Sequence, residues 1–389
     1  MTPGARVAAA IGVLDAVRAG EAAEKTLTGW ARGARYAGSK DRAAVRDHVF
    51  DVLRRWRSCG ALGGGEDGRH LMIGALRADG IDPRVVFTGE GHAPAALTGV
   101  ELAGGHAPSG LDAMDLPDWL WPEFETSLGA SAKGAAEMLR HRAPVMLRVN
   151  QRRGAVPQAQ ACLAAEGVET VTVDIASTAL RVISGERKVV RTEAYAEGLV
   201  ELQDGSSQAA MELLEVAEGA RVLDYCAGGG GKVLAFAARS EATWYAHDIA
   251  PQRMNDLPAR ATRAGVEVAR VESDAITSAA PYDLVLCDAP CSGSGTWRRS
   301  PEAKWRLTPG RLEDLTQIQY DILVKTAPLV AEDGCLAYAT CSVFKRENEA
   351  VVERFLEEHP AWTRARQRVW PISDMGDGFC LTQLFRAEV

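Results

Sequence analysis

From residue 219 onward, short apolar runs alternate with longer segments of helical periodicity. The clearest runs cover residues 221–225, 243–248 and 284–288, and charge or glycine bounds each of them. Short bounded apolar runs are typical of strands buried on both faces. Strands that alternate with helices form a doubly wound, mostly parallel sheet. The sequence therefore predicts an α/β domain with Asp288 at the carboxyl end of a strand, where open α/β sheets bind ligands.

The 389 residues are enough for two or three domains, because single cores rarely grow beyond about 250–300 residues. Residues 5–60 show apolar positions at helical spacing, and short helices with irregular connections follow to about residue 140. From residue 144 the pattern changes to strands and one helix, which indicates a small α+β unit. We therefore predict domains over residues 1–140, 141–205 and 206–389.

Several function classes are disfavoured by pattern. No apolar run approaches the roughly 20 residues that cross a bilayer, and no signal region opens the chain, so we expect a cytoplasmic protein without membrane contact. The eight cysteines form no C-x-x-C pair and have no histidine at zinc-finger spacing, so we expect no metal site. No heptad pattern appears, and a monomer is expected.

Charge is distributed unevenly along the chain. The net charge is −8, which argues weakly against a nucleic-acid partner, but residues 1–60 carry eleven basic against six acidic residues. Local basic patches decide phosphate binding. The candidate RNA-binding residues are Arg42, Arg46, Arg298, Arg299 and Lys304. The alternative is that these residues form a solvated helix face and a solvated loop.

A glycine loop, Cys226-Ala-Gly228-Gly-Gly-Gly231-Lys232, joins the first strand of the α/β domain to a helix. Such a loop lets backbone amides approach a ligand closely. A P-loop and a dinucleotide fingerprint both fit poorly, because Cys226 and Val233 stand where those motifs require other residues. The best fit is S-adenosylmethionine (SAM), with Asp248 on the ribose hydroxyls and Asp274 on the adenine amino group. A glycine turn that only permits close helix–sheet packing is the alternative.

Two cysteines follow predicted strand ends, in Asp288-Ala-Pro-Cys291 and in Thr340-Cys341-Ser342. Because the ends of parallel strands meet at one edge of a sheet, we expect both thiols and the carboxylate of Asp288 to form one chemical site. A thiolate can act as a nucleophile where an electropositive, partly exposed pocket lowers its pKa. The residues alone do not decide which cysteine attacks.

These segments together resemble the RsmB/NOP/Sun family of SAM-dependent RNA cytosine-5 methyltransferases. The matching segments are Asp224-Tyr-Cys-Ala-Gly-Gly-Gly-Gly-Lys232, Asp288-Ala-Pro-Cys-Ser-Gly-Ser-Gly-Thr296, Arg298-Arg-Ser-Pro-Glu-Ala-Lys304-Trp305, and Thr340-Cys-Ser342 with Glu347-Asn-Glu349. The chain departs from the family at Gly229, Val233 and Cys380. The resemblance implies a class I (Rossmann-like) methyltransferase domain, preceded by an RRM-like module and a NusB-like helical domain of the bacterial 16S rRNA branch.

The resemblance also implies roles for individual residues. Cys341 would be the nucleophile that attacks cytosine C6, Cys291 would assist product release, and Asp288 would bind the ring at N3, with Lys232 lining the pocket. SAM would be held by these residues: Cys226, Ala227, Gly228, Gly229, Gly230, Gly231, Lys232, Asp248, Arg253, Asp274 and Asp288. The expected substrate is 16S rRNA. The same chemistry on tRNA or another RNA, and a catalytically idle RNA-binding factor of ribosome assembly, are the alternatives.

Overall fold

The computed structural model describes residues 1–387, so residues 388 and 389 of the predicted third domain lie outside the described residues. The helices are α1 (Pro3–Arg18), α2 (Ala23–Gly33), α3 (Ser39–Arg54), α4 (Trp56–Gly63), α5 (Gly68–Ala78), α6 (Gly99–Ala103), α7 (Leu120–Leu128), α8 (Ala132–Leu139), α9 (Val156–Ala165), α10 (Glu193–Ala196), α11 (Gly205–Glu212), α12 (Gly231–Ala237), α13 (Leu257–Ala264), α14 (Glu302–Arg306), α15 (Pro309–Thr326) and α16 (Glu349–Glu358). The strands are β1 (Met146–Val149), β2 (Glu169–Thr172), β3 (Ala179–Ser184), β4 (Val200–Leu202), β5 (Arg221–Asp224), β6 (Thr243–Ala246), β7 (Ala269–Arg270), β8 (Tyr282–Asp288), β9 (Val330–Thr340), β10 (Trp362–Trp370) and β11 (Phe379–Arg386).

The described chain forms two compact units, and each is described by itself. One unit combines residues 1–142 with residues 297–306, and the other combines residues 143–296 with the remainder from residue 307. The segment 297–306 was placed by the sequence in the α/β domain, yet it belongs to the helical unit. The small α+β module and the α/β domain share one compact unit.

The α/β part contains a seven-stranded sheet in the order β10-β11-β9-β8-β5-β6-β7. The pairs β5–β6, β5–β8, β6–β7 and β8–β9 are parallel, whereas β11 runs antiparallel to both β9 and β10. The predicted Rossmann-like, mostly parallel sheet is thus confirmed. The central strand β8 is buried along almost its whole length, because apolar clusters cover both faces of the sheet.

The small module has four antiparallel strands in the order β2-β3-β1-β4, with α9 between β1 and β2 and α10 between β3 and β4. This βαββαβ arrangement is the ferredoxin-like fold that RRM-like modules share. Alternate side chains of β1 enter different cores. Leu147 packs with Leu163 of α9, whereas Met146 packs with Met211 of α11. Both faces of this sheet are therefore covered within its own unit.

The helical unit has its own apolar core, built mainly from α1, α3 and α5. The all-α character predicted for the N-terminal region is observed, and its likeness to NusB stays a prediction. Helices α4 and α5 approach so closely that a Cβ on Gly74 would lie 1.8 Å from the carbonyl oxygen of Cys59. Among the helices within residues 1–387, none is long and apolar enough to span a membrane.

The glycine contact gives a stability test. Gly74→Ala should lower the free energy of unfolding by about 1–3 kcal/mol or more, because the added methyl group overlaps backbone atoms that cannot move independently. Gly12→Ala is the matched control in α1, where a Cβ meets nothing within 4 Å. It should raise stability by up to about 1 kcal/mol. Urea unfolding measures both variants, and equal stability of the two would contradict the close packing of α4 and α5.

Candidate active site

The predicted site residues gather where four parallel strands end. Asp224 is the last residue of β5, Asp288 is the last residue of β8, and Cys341 follows the last residue of β9. Asp248 lies two residues beyond β6. Because β5, β6, β8 and β9 are parallel neighbours, their carboxyl ends share one edge of the sheet. The fold therefore brings the carboxylates, the cysteines and the glycine loop to the same edge, as the sequence predicted.

The glycine loop needs its glycines for two separate reasons. Gly228 and Gly230 adopt φ angles of +50° and +79°, which favour a residue without Cβ. A Cβ on Gly230 would also lie 2.3 Å from the Leu257 side chain. The Gly228 amide donates to Asp248 Oδ2 at 3.0 Å, so the loop is tied directly to the acid that follows β6.

Side chains outside the loop hold its carbonyl groups. Arg148 Nη1 donates to the Gly231 carbonyl at 3.0 Å, and Gln203 Nε2 donates to the same oxygen at 3.1 Å. Arg260 donates to the carbonyl of Gly229. Arg148 lies on β1, so the ferredoxin-like module supports the loop. The roles of Arg148 and Arg260 could not be predicted from the sequence, because no local motif marks a contact between residues this far apart in the chain.

The acid after β6 is held rigidly. Asp248 is 2 % exposed, accepts from the Ala250 amide at 3.0 Å, and forms an ion pair with Arg253 at 3.2 Å. The next residue, Ile249, is 82 % exposed although it is apolar. Asp274 lies beyond β7 and is exposed. A fixed carboxylate beside an exposed apolar side chain suits a ligand with polar and apolar parts.

Lys232 and Asp288 form an ion pair at the centre of the site. Burial alone would lower the pKa of Lys232, but the charge of Asp288 and its hydrogen bond raise that pKa above the usual value. Negative charge on Asp224 and on Cys341 acts in the same direction. Lys232 also lies 5.3 Å from the ring centre of Phe379. The ammonium group thus stays positive beside the cysteine pair.

The two cysteines meet as predicted, with their Sγ atoms 3.4 Å apart. The hydrogen bond to Cys341, together with burial, raises the pKa of Cys291 well above that of an ordinary thiol. Cys291 therefore keeps its proton and can donate to the sulfur of Cys341. The cysteines 59, 287, 335 and 380 have pKa values raised to about 12 by burial, which agrees with a packing role.

The basic segment after Cys291 needs a correction. Arg298 and Lys304 are each 1 % exposed, so they do not present their charges to RNA phosphates as predicted. Lys304 Nζ donates to the Arg54 carbonyl at 2.9 Å, and Arg54 Nε donates to the Arg298 carbonyl at 2.7 Å. Burial lowers the pKa of Lys304 to about 7. These residues stabilise the helical unit instead.

The other basic candidates remain at the surface. Arg299 is exposed, and Arg42 and Arg46 are exposed on α3. Arg46 forms an ion pair with Glu24 and lies 4.7 Å from the ring centre of Phe50. Within residues 1–387, no cluster of three or more histidine, cysteine or acidic side chains could hold a metal ion.

Asp224 is a buried carboxyl group of the site with a strongly raised pKa. It is 1 % exposed, and its Oδ2 accepts from the Val233 amide at 3.2 Å, whereas Oδ1 has no partner among the described residues. Burial raises the pKa of Asp224 to about 7, and the nearby charge of Asp288 adds to the rise. The protonated form is therefore favoured in the folded protein well above the ordinary carboxyl range.

This shift predicts a pH-dependent stability. The folded protein binds the Asp224 proton more tightly than the unfolded chain, whose carboxyl group titrates near 3.8. The stability that this proton contributes is complete below pH 3.8 and is lost as the pH rises through 7. In the wild type, the free energy of unfolding should therefore fall by on the order of 2–4 kcal/mol between pH 4.5 and 8. Asp224→Asn should abolish this fall, as measured by urea unfolding across that pH range. The exposed variant Asp314→Asn is the control, and equal pH slopes in both variants would contradict the assignment.

Comparisons with known proteins place the chain in a family. A family model described as "16S rRNA methyltransferase RsmB/F" matches residues 211–385. A second, described as "Methyltr_RsmF/B-like, ferredoxin-like domain", matches residues 116–188. The crystal structure of PH0851 superposes with a TM-score of 0.77 at 23% identity, over 99% of each chain. That of NSun6 from Pyrococcus horikoshii with SFG gives 0.62 at 14% identity, over 70% of this chain and 99% of that one. At these identities the likeness supports the fold alone.

The chain is also similar in sequence to curated proteins. The "Probable ribosomal RNA small subunit methyltransferase B" of Bacillus subtilis is 32% identical over 63% of this chain and 56% of its own length. The "Ribosomal RNA small subunit methyltransferase B" of Klebsiella pneumoniae is 31% identical over 69% of this chain and 66% of its own. The chain thus spans less than two thirds of these relatives. The two family models together match more than half of it, and with these relatives they show that the chain belongs to the RsmB/F family of 16S rRNA methyltransferases.

Proposed function

We propose that this protein transfers a methyl group from SAM to C5 of a cytosine in RNA, with 16S rRNA as the substrate. The observation that carries the proposal is the pair of thiols 3.4 Å apart at the same sheet edge as the Lys232–Asp288 ion pair. One thiol suits covalent attack and the other suits release, which a single-step transfer would not need. Membership of the RsmB/F family supports an rRNA substrate, and a cytoplasmic reaction is part of this proposal.

The residues at the sheet edge fit SAM. The loop from Cys226 to Lys232 would face the methionine end, and the partnerless Oδ1 of Asp224 is a buried acceptor close to that loop. Asp248 would accept hydrogen bonds from the ribose hydroxyl groups, and Ile249 would pack against the adenine ring. Asp274 remains the proposed partner of the adenine amino group. When bound, SAM supplies a methyl group on a sulfonium centre, which is open to attack by a carbon nucleophile.

Cytosine C5 is too weak a nucleophile to attack that methyl group directly. Addition of the Cys341 thiolate to C6 would turn the ring into an enamine with electron density at C5. Asp288 would hydrogen-bond N3 and favour its protonation, which draws electrons toward N3 during the addition. Lys232 would place a positive charge near the Cys341 thiolate, because Asp288 holds the pKa of the ammonium group above its usual value.

The second cysteine would act after methyl transfer. A base takes the C5 proton, the electron pair of the C5–H bond forms the C5–C6 double bond, and the bond from C6 to the sulfur of Cys341 breaks to release the thiolate. Cys291 would assist this elimination, because its sulfur lies 3.4 Å from the sulfur that departs. The raised pKa of Cys291 supports its role in release, because a thiol that keeps its proton is a poor nucleophile for the first attack.

The target base has to leave its stack to reach both thiols, which is easiest in a loop or single strand. Phosphates of that RNA would be contacted by exposed arginines, for which Arg42, Arg46 and Arg299 remain candidates. The rival substrates, tRNA or another RNA, would use the same chemistry. An idle assembly factor would bind RNA without needing either thiol.

Cysteine variants test the proposal. With methyl-labelled SAM and unmodified 16S rRNA, free or in small subunits, Cys341→Ser should lower 5-methylcytosine formation about 10³-fold or more, because the nucleophile is lost. Cys291→Ser should accumulate a covalent protein–RNA adduct that survives denaturing electrophoresis. Cys162→Ser, on α9, is the control and should behave as wild type.

The other outcomes separate the alternatives. An adduct with Cys341→Ser instead of Cys291→Ser would exchange the two roles. Labelling of tRNA alone would change the substrate and keep the chemistry. If wild-type protein labels neither rRNA, subunits nor tRNA, the enzyme proposal fails and the assembly factor is favoured.

A further inference from the structure

A buried carboxylate connects the two cysteine loops. Glu347 is 0 % exposed, and its Oε1 accepts from the Ser292 amide at 2.7 Å. Its Oε2 accepts from the hydroxyl groups of Ser292 and Ser342. Ser292 directly follows Cys291, and Ser342 directly follows Cys341. One side chain therefore holds the residue next to each thiol.

Further contacts fix Glu347 and the loops that it joins. Gln319 Nε2 donates to Glu347 Oε1 at 3.0 Å and to the Pro290 carbonyl at 2.9 Å. Asn348 Nδ2 donates to the Ser342 carbonyl at 3.0 Å. The hydroxyl groups of Ser294 and Ser342 lie 2.9 Å apart. The contacts form a continuous network within the unit that contains the large sheet.

A carboxylate group can serve all these donors. It presents two oxygens and no donor of its own, whereas an amide would turn one acceptor into a competing donor. Hydrogen bonds to a charged group are stronger than those between neutral groups, and a buried charge is tolerated only where such bonds satisfy it. Glu347 is therefore suited to fix a distance between two loops, which loop backbone alone would leave variable.

We propose that Glu347 is a positioning residue that sets the spacing and orientation of Cys341 and Cys291 through Ser342 and Ser292. Its carboxylate accepts hydrogen bonds from Ser292, Ser342 and Gln319, so that it holds the thiols through neighbouring residues. The inference rests on the proposed function, in which the two thiols act in succession on one ring. A change in their spacing should then affect turnover more than cofactor binding.

Turnover kinetics give the first test. Glu347→Gln should lower kcat about 10- to 100-fold, as expected when a supporting residue lets reacting groups move by about 1 Å. KM for SAM should change by less than about 2-fold, because the glycine loop and Asp248 keep their own contacts. Glu353→Gln, the same substitution at an exposed position of α16, is the control and should match wild type in both quantities.

Thiol oxidation gives a second test that needs neither RNA nor SAM. Diamide takes one hydrogen from each thiol, so that a Cys291–Cys341 disulfide forms and the diazene becomes a hydrazine. Wild type and Glu353→Gln should form this link rapidly, because the sulfurs are already 3.4 Å apart. Glu347→Gln should form it at least about 5-fold more slowly, because a looser pair meets less often. Peptide mapping identifies the link.

The two tests fail in different ways. If wild type methylates no RNA, the proposed function fails, and the oxidation rates still decide the role of Glu347. If Glu347→Gln is folded but oxidises at the wild-type rate, the positioning role is overturned. If Glu347→Gln does not fold by circular dichroism, Ser342→Ala replaces it, since it removes one donor and leaves the carboxylate with the others. A wild-type oxidation rate in Ser342→Ala would likewise overturn the inference.

Discussion

The parallel alignment of β5, β8 and β9 is the constraint on which the site depends. Asp224 pairs in register with Leu286, and Asp288 pairs with Ala339, so all three strands end at one edge. That register places two carboxylates and the Cys341 loop within reach of Lys232. A slip by one residue would turn the side chains of a strand to the opposite face. The chemistry is thus fixed first by strand pairing and only then by individual contacts.

Two kinds of support act on this edge. The ferredoxin-like module reaches the glycine loop through Arg148, whose guanidinium group binds a loop carbonyl. Glu347 joins the two cysteine loops, because it binds Ser292 beside Cys291 and Ser342 beside Cys341. Arg148 and Glu347 are both buried polar side chains, and hydrogen bonds to loop atoms offset part of the cost of their burial. The protein therefore uses buried polar side chains at places where loop backbone must be held in one conformation.

The sequence predicted the strands and site residues that depend on local patterns. Apolar runs located β5, β6, β8 and β9, and Asp288 and the two cysteines were assigned to one site because parallel strands share an edge. The sequence did not reveal that residues 297–306 join the helical unit, since the bonds of Arg54 to this segment span 244 and 250 positions. The burial of Arg298 and Lys304 follows from those distant contacts, so a local cluster of charge was misleading.

The proposed reaction requires Cys341 to bond covalently to cytosine C6 during methyl transfer. The most direct measurement uses 16S rRNA that contains 5-fluorocytidine, incubated with wild-type protein and SAM. Fluorine at C5 cannot leave as a proton, so the elimination stops and the adduct persists. We expect a stable protein–RNA adduct that forms only with SAM present, and peptide mass spectrometry should map it to Cys341. An adduct on another residue, or methylation without any trapped adduct, would contradict the claim.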